Sequence, residues 1–257
     1  MIYTCYEMVQ DCRANKPEGW SYFISNYVPL IRKLLAHYGD SAALERVLVA
    51  IHKPESSIFQ SLEPAPERWF IAELRQKVLA ETPLPAPEFA LDLETAAAAF
   101  EPLTLVEKQA VWIQTMHYDA AETGAMMRMA PKTVEKIRER SEELLRGKVD
   151  AWRRNLLAEN GRHLGQAAAT SGGKDCLPAK VFLDILDGRT TWRGRETMEQ
   201  HVLRCWHCID HFSRMVEVVE LIRGVQPLSA GEAAHFRELL GIELAKPPLW
   251  KRLMGRR

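Results

Sequence analysis

In HVLRCWHCIDHF, residues 201–212, His201 is followed at intervals of four and seven by Cys205 and Cys208, in a chain that has only five cysteines. On an α-helix those intervals fall along one face, so an imidazole and two thiols would converge. Thiolate and imidazole donors together suit a tetrahedral ion, zinc above all, and zinc asks for a fourth ligand. Cys176 is placed to supply it, because the stretch before His201 is long enough for a helix and a turn to bring it back. The candidate metal site is therefore Cys176, His201, Cys205 and Cys208, with zinc as its cofactor. The competing account is a set of small cysteines packed into a helix face. His207 and His211 fall off that face and read as surface or capping histidines, with His211 a substitute ligand. Cys5 and Cys12, seven apart, read as buried.

Something must hold those residues. The 257 residues, 47 % of them hydrophobic, are enough for two or three small domains with packed cores. Thirty-four basic side chains balance thirty-four acidic ones, so any nucleic-acid contact must rest on a local patch. No apolar run reaches about 18 residues, and MIYTCYEMVQDC lacks the features of a secretory signal. The expectation is a cytoplasmic protein without a membrane span, whose cysteines serve as thiolates. Apolar spacings of three and four dominate from Trp20 onward, so the fold class is all-α.

Proline and glycine mark the joints. ETPLPAPEF at 81–89 reads as a semi-rigid linker, and ENGRHLGQAAATSGGKD at 159–175 as a flexible one. The resulting plan is a helical domain at 1–82, a linker at 83–100, a second domain at 101–158, a linker at 159–175, a metal-binding domain at 176–225 and a tail at 226–257. The tail's PPLWKRLMGRR is basic and amphipathic, and reads as a docking segment or a frayed end. No Gly-rich phosphate loop, G-x-S-x-G or H-E-x-x-H occurs, and a four-ligand metal site leaves no open position, so the chain reads as not an enzyme.

Residues 103–146 alternate helix and break, as a helix-turn-helix does. Pro131 suits the first turn of the last helix, and Val134, Ile137, Ser141, Leu144 and Leu145 form its inward stripe. Lys132, Thr133 and Lys136 are placed to reach base edges, with Arg138 and Arg140 holding phosphates. A solvated face is the alternative, since Glu135, Glu139, Glu142 and Glu143 interleave with the bases.

From Leu103 to Arg146 the segment resembles the fourth conserved region of bacterial RNA polymerase sigma factors, especially the extracytoplasmic-function group. The resemblance rests on Leu103-Thr104, Glu107, Tyr118, Glu122, Thr133-Val134 and Leu144-Leu145-Arg146, and it implies binding to the promoter's upstream element. Gly124 stands where that family prefers Ala, Arg128 replaces its turn glycine, Ala130 its capping Ser, and Arg138 an apolar residue. LuxR-type regulators share much of the pattern. EGWSYFISNYVPLIRKLLAHYGD at 18–40 resembles the opening of sigma region two, through Trp20, Phe23, Tyr27, Pro29, Ile31 and Leu34. PERWFIAELRQKVLA at 66–80 looks like the aromatic helix that melts the promoter, with Arg68, Arg75 and Lys77 beside it for phosphates. Phe70 and Leu74 read as core, and Trp69 stays open between core and stacking. Where the family's polymerase-binding helix is acidic and glutamine-containing, this chain has AALERVLVAIHKP.

Residues 176–208 resemble the zinc-binding anti-sigma domain, through Leu186-Asp187-Gly188 and the His-x3-Cys-x2-Cys ending. Taken together, the resemblances imply a bacterial transcription-initiation factor that binds promoter DNA and core RNA polymerase and is regulated in cis by its zinc domain. Val202, Ile209, Phe212, Val216 and Val219 would pack that domain on the sigma-like modules. Zinc is either purely structural or redox-sensing. The alternatives are a metal- or redox-linked helix-turn-helix regulator that recruits no polymerase, and a degenerate sigma/anti-sigma interaction protein.

Overall fold

The computed structural model describes residues 3–54, 59, 66–82, 93, 100–144 and 161–243, and among them it is all-α, with twelve α-helices and no strand. The proline-rich stretch 83–90, Leu145, Arg146 and PPLWKRLMGRR lie outside the described residues. The chain divides into two compact units, Met1–Phe70 with Val225–Arg257, and Ile71–Gly224.

In the first unit, α1 (Cys5–Arg13) begins at a capping box in which Thr4 and Glu7 satisfy each other's backbone N–H groups. It packs on α2 (Pro17–His37) across Gly19, where a Cβ would lie 2.7 Å from Asp11 Cβ and 2.8 Å from Cys12 N. Only glycine permits that approach. Trp20, Phe23, Tyr27, Pro29, Ile31 and Leu34 are buried along α2, and edge-to-face contacts among Trp20, Phe23, Phe59, Tyr27 and Phe70 build the core. Cys12 is buried and Cys5 half-buried, so the reading of both as buried holds for Cys12 alone. α3 (Leu44–His52) packs against α2.

The segment 226–257, expected as a tail, instead carries a helix, Ala230–Leu239, which packs on α2 and α3. Ser229 and Glu232 cap it reciprocally, and Arg32 Nη1 ties Glu232 Oε1 at 2.7 Å while Arg32 Nη2 donates to Gln226 O.

The division between units falls inside α4 (Glu67–Ala80). The second unit then contains α5 (Leu105–Gln114), α6 (Ala120–Met127), α7 (Pro131–Leu144), α8 (Gly161–Thr170), α9 (Ala179–Leu186), α10 (Trp192–Val202) and α11 (Trp206–Ile222). α11 is the axis of the unit. Its residues Cys208–Val218 are all buried, with α5 and α6 packed on it and α8, α9 and α10 packed on it too. The 159–175 stretch, expected to be a flexible linker, contains α8, because burial of Leu164 and Ala168 in the packing against α11 outweighs a glycine- and threonine-rich composition.

Candidate functional site

The four metal-ligand candidates come together. One donor atom from each of Cys176, His201, Cys205 and Cys208 lies within 4.8 Å of the others, so a single ion could touch all four. Cys176 Sγ is 3.7 Å from Cys205 Sγ, and His201 Nε2 is 3.1 Å from Cys208 Sγ.

The expected local geometry needs correction: 201–208 is not one helix. His201 sits in the last turn of α10, the chain turns through Leu203 and Arg204, Cys205 is the extended N-cap of α11 (φ −116°, ψ 109°), and Cys208 lies in that helix's first turn. A continuous helix would spread the donors over two turns; the break folds them inward. Cys176 arrives on a loop after α8. His207 Nδ1–H donates to Ala169 O at 3.0 Å, and a Cβ at Gly172 would meet the His207 ring at 2.7 Å, so this histidine anchors that loop rather than lying at the surface.

Backbone N–H groups face two of the sulfurs: Gly173 N is 3.3 Å from Cys176 Sγ and Leu177 N is 3.4 Å from Cys208 Sγ. Burial pushes the Cys208 thiol up, the Leu177 N–H pulls it down, and the neighbouring Cys205 and Cys176 push it up again. A thiol so placed becomes a thiolate when a cation shares the site.

Beyond the metal cluster, α11 carries a buried polar seam that the sequence reading overlooked. Asp210 Oδ1 accepts from Trp112 Nε1–H at 3.2 Å and its Oδ2 from Arg214 Nε–H at 2.8 Å. Glu217, 0 % exposed, accepts from the Tyr118 hydroxyl at 2.7 Å and pairs with Arg75 Nε at 2.6 Å. Trp206 packs against Trp112 and Phe100 at the head of this stripe. Positions 206, 210, 214 and 217 share one helical face, and Asp210, Arg214 and Glu217 recur along it at intervals of four and three. That spacing was the available signal.

Three expectations change accordingly. Arg75, expected beside single-stranded DNA, is 6 % exposed and committed to Glu217. Val202, Ile209, Phe212 and Val216 are buried but Val219 is exposed; Phe212 stacks on Phe182 of α9, while Val202 and Ile209 share a cavity wall with Leu103 and Lys108 at the start of α5. His211 is buried rather than a surface or substitute-ligand residue. Burial first, then Arg214 and His207, depress its pKa to about 3. Its Nε2 is 3.6 Å from Glu73 Oε1, but Arg214 Nη1 lies 3.5 Å from the same oxygen, so that carboxylate gives His211 no counter-ion of its own.

α5, α6 and α7 pack on one another, with α6 joined to α7 by the short turn Arg128–Ala130. Capping boxes Thr104/Glu107 and Asp119/Glu122 start α5 and α6. Arg128 adopts the left-handed conformation (φ 56°), the geometry a turn glycine ordinarily supplies. Gly124 is required by the turn: a Cβ there would lie 2.7 Å from Met129 O. Val134 and Ser141 are buried, while Lys132, Thr133, Lys136, Arg138 and Arg140 are all exposed. At 100° per residue Lys132, Lys136, Arg140 and Thr133 share one face, Glu139 and Glu135 border it on one side, and Arg138 lies beyond Glu135 on the far side of the helix. Arg140 Nε pairs with Glu107 Oε1 at 3.2 Å. Burial raises the Glu107 carboxyl, but its hydrogen bonds from Thr104 and the Arg140 charge outweigh that and hold it below the usual range.

In α4, Phe70 and Leu74 are buried as expected, and Trp69 is half-buried. No family model matches the chain, and neither a curated protein nor a solved structure matches it.

Proposed function

We propose that the chain is a sigma-type transcription-initiation factor that reads duplex promoter DNA through α7 and carries a zinc-binding, anti-sigma-like module fixed against the same helical cluster. The observation that carries this reading is the exposure of Lys132, Thr133 and Lys136 on one face of α7 while Val134 and Ser141 are buried on the other. A helix so divided can enter a major groove without unfolding its support, with lysines neutralising phosphates. The described part of the metal module packs on α5 and α6, and Lys132, Thr133 and Lys136 are exposed, which supports this reading.

Zinc suits the donor set. With Zn–S near 2.3 Å and Zn–N near 2.0–2.1 Å, a tetrahedron has S···S edges of about 3.8 Å and N···S edges of about 3.5 Å. The 3.7 Å Cys176–Cys205 separation matches the first, while the 3.1 Å His201–Cys208 separation is shorter than the second, so these two donors would move apart to take an ion. Four protein donors complete the shell, so the ion serves as a structural cross-link tying the Cys176 loop, α10 and α11.

Transcription reconstituted with core polymerase and DNA-binding measurements test the reading together. Promoter-dependent transcripts that Lys136→Ala abolishes, with a salt slope of DNA binding shallower by about one, are expected. A second reading, a DNA-binding regulator that recruits no polymerase, is favoured by the burial of Phe70, Leu74 and Arg75, which removes much of the surface that α4 would offer to melted DNA. DNA binding without transcripts would select it, and loss of both would refute the two together.

A further inference from the structure

A cavity of about 610 Å³ lies between the start of α5 and the turn from α10 to α11. That volume is typical of small-molecule sites. Among the described residues its walls include Val202, Ile209 and Trp206, the cations Lys108 and Arg204, the acid Glu101, and Cys205 of the metal cluster.

Lys108 is the unusual member. Only 8 % of it is exposed, and its Nζ donates to one acceptor, Leu203 O at 3.1 Å. An ammonium has three donors, so the others meet no acceptor among the described residues. The stem is buried while the ammonium, at the cavity wall, is only partly buried and has one neutral carbonyl as its hydrogen-bond partner among the described residues. Burial lowers its pKa, opposed by Glu101. Arg204 is exposed and makes no ion pair among the described residues.

We propose that this cavity is a binding site for a small organic anion, a carboxylate carried on an apolar body, with Lys108 and Arg204 receiving the charge and Val202, Ile209 and Trp206 the body. Among the described lining residues Lys108 and Arg204 face one acid, Glu101, and the thiolate-rich cluster behind Cys205 adds further negative charge, so the wall accommodates a singly charged carboxylate better than a doubly charged phosphate. A bare inorganic ion could meet Lys108 and Arg204 but would leave the apolar walls of Val202, Ile209 and Trp206 uncovered. The site joins α5 to the turn that carries Cys205, so an occupant would bridge the helix-turn-helix cluster and the metal module. The inference is independent of promoter reading.

Calorimetric titration of the full, zinc-loaded chain with phenylacetate and with hexanoate tests it, with inorganic phosphate and benzylamine as controls. Saturable one-to-one binding of a carboxylate, absent for both controls, is expected, and Lys108→Met should weaken it at least tenfold. Arg204→Ala, at an exposed position that leaves packing alone, should weaken it several-fold at unchanged zinc content. Failure of both carboxylates to bind, phosphate binding as tightly as they do, or affinities untouched by Arg204→Ala would each overturn the assignment.

Discussion

Replacing Arg75 with Met keeps the apolar stem and removes the charge that faces Glu217 across 2.6 Å. Glu217 is 0 % exposed, so its carboxylate would be left inside the second unit with the Tyr118 hydroxyl as partner. Stripping one member from a buried ion pair costs about 3–5 kcal/mol, most of it the desolvation of the charge left behind. For a unit of this size about 2–4 °C is lost per kcal/mol, which gives a fall of about 6–20 °C in the transition assigned to Ile71–Gly224. Tyr118→Phe removes one hydrogen bond to a charged acceptor and should cost about 1.5–3 kcal/mol. Glu217→Gln combined with Arg75→Met should cost less than the two singles added, because the second change removes the charge the first stranded. Scanning calorimetry of zinc-loaded protein at neutral pH reads all four. If Arg75→Met costs under about 1 kcal/mol, or the pair adds without coupling, the seam is not the buried, charge-matched contact described above.

Three further outcomes follow from the geometry. Cys176→Ser should lower bound zinc from one per chain to well below that, measured by metal analysis after dialysis, since the loop then offers no thiolate; full retention would remove Cys176 from the ligand set. Gly124→Ala should destabilise by about 1–3 kcal/mol in urea, because the new Cβ meets the Met129 carbonyl at 2.7 Å and the Pro131 nitrogen at 3.3 Å, both backbone atoms with no rotamer to retreat into. His211 has its folded pKa lowered to about 3 from 6.5, so it binds a proton more readily when unfolded; stability is full above about pH 6.5 and drains as pH falls toward 3, by up to about 1.4 kcal/mol per pH unit. His211→Asn should flatten that slope at equal zinc content, and an unchanged slope would show that other groups set it.

The metal residues were legible because ligand spacing survives a wrong guess about what lies between them. One uninterrupted helix was expected from His201 to Cys208, yet the donors meet through a broken one, and the Cys/His pattern pointed to the same four positions. The exposed side chains of α7 were legible too, since amphipathic periodicity separates Val134 and Ser141 from Lys132 and Lys136 whatever the tertiary context. Composition misled at α8, where glycine and threonine suggested a flexible linker but Ala168 is buried in a helix packed on α11. The seam stayed hidden for a different reason. Trp112 meets Asp210 across 98 residues of sequence and Tyr118 meets Glu217 across 99, and nothing local announces a partner so distant. Arg75 read as a phosphate contact because an arginine beside aromatics has the same composition whether it faces solvent or a buried carboxylate.

α11 carries both the metal ligand and the seam, and the two need not fail together. Cys208 lies in its first turn and Glu217 nine residues on, about 13.5 Å along the axis at 1.5 Å per residue. Sliding α11 by one turn would move Asp210 away from Trp112 and Glu217 away from Tyr118 and Arg75, stranding buried charges, so the seam fixes the register of α11 against α5 and α6 without help from the ion. An ion held by the four donors would instead fix what lies N-terminal to the seam: the Cys176 loop, the end of α10 and the α10–α11 turn. Chelation should therefore release amide protection around Leu177 and Leu203 while Arg214–Val218 remains protected, read by hydrogen exchange at neutral pH. Loss of protection along the whole of α11 on chelation would mean that the metal alone sets its position against α5 and α6, and that the seam does not fix the register.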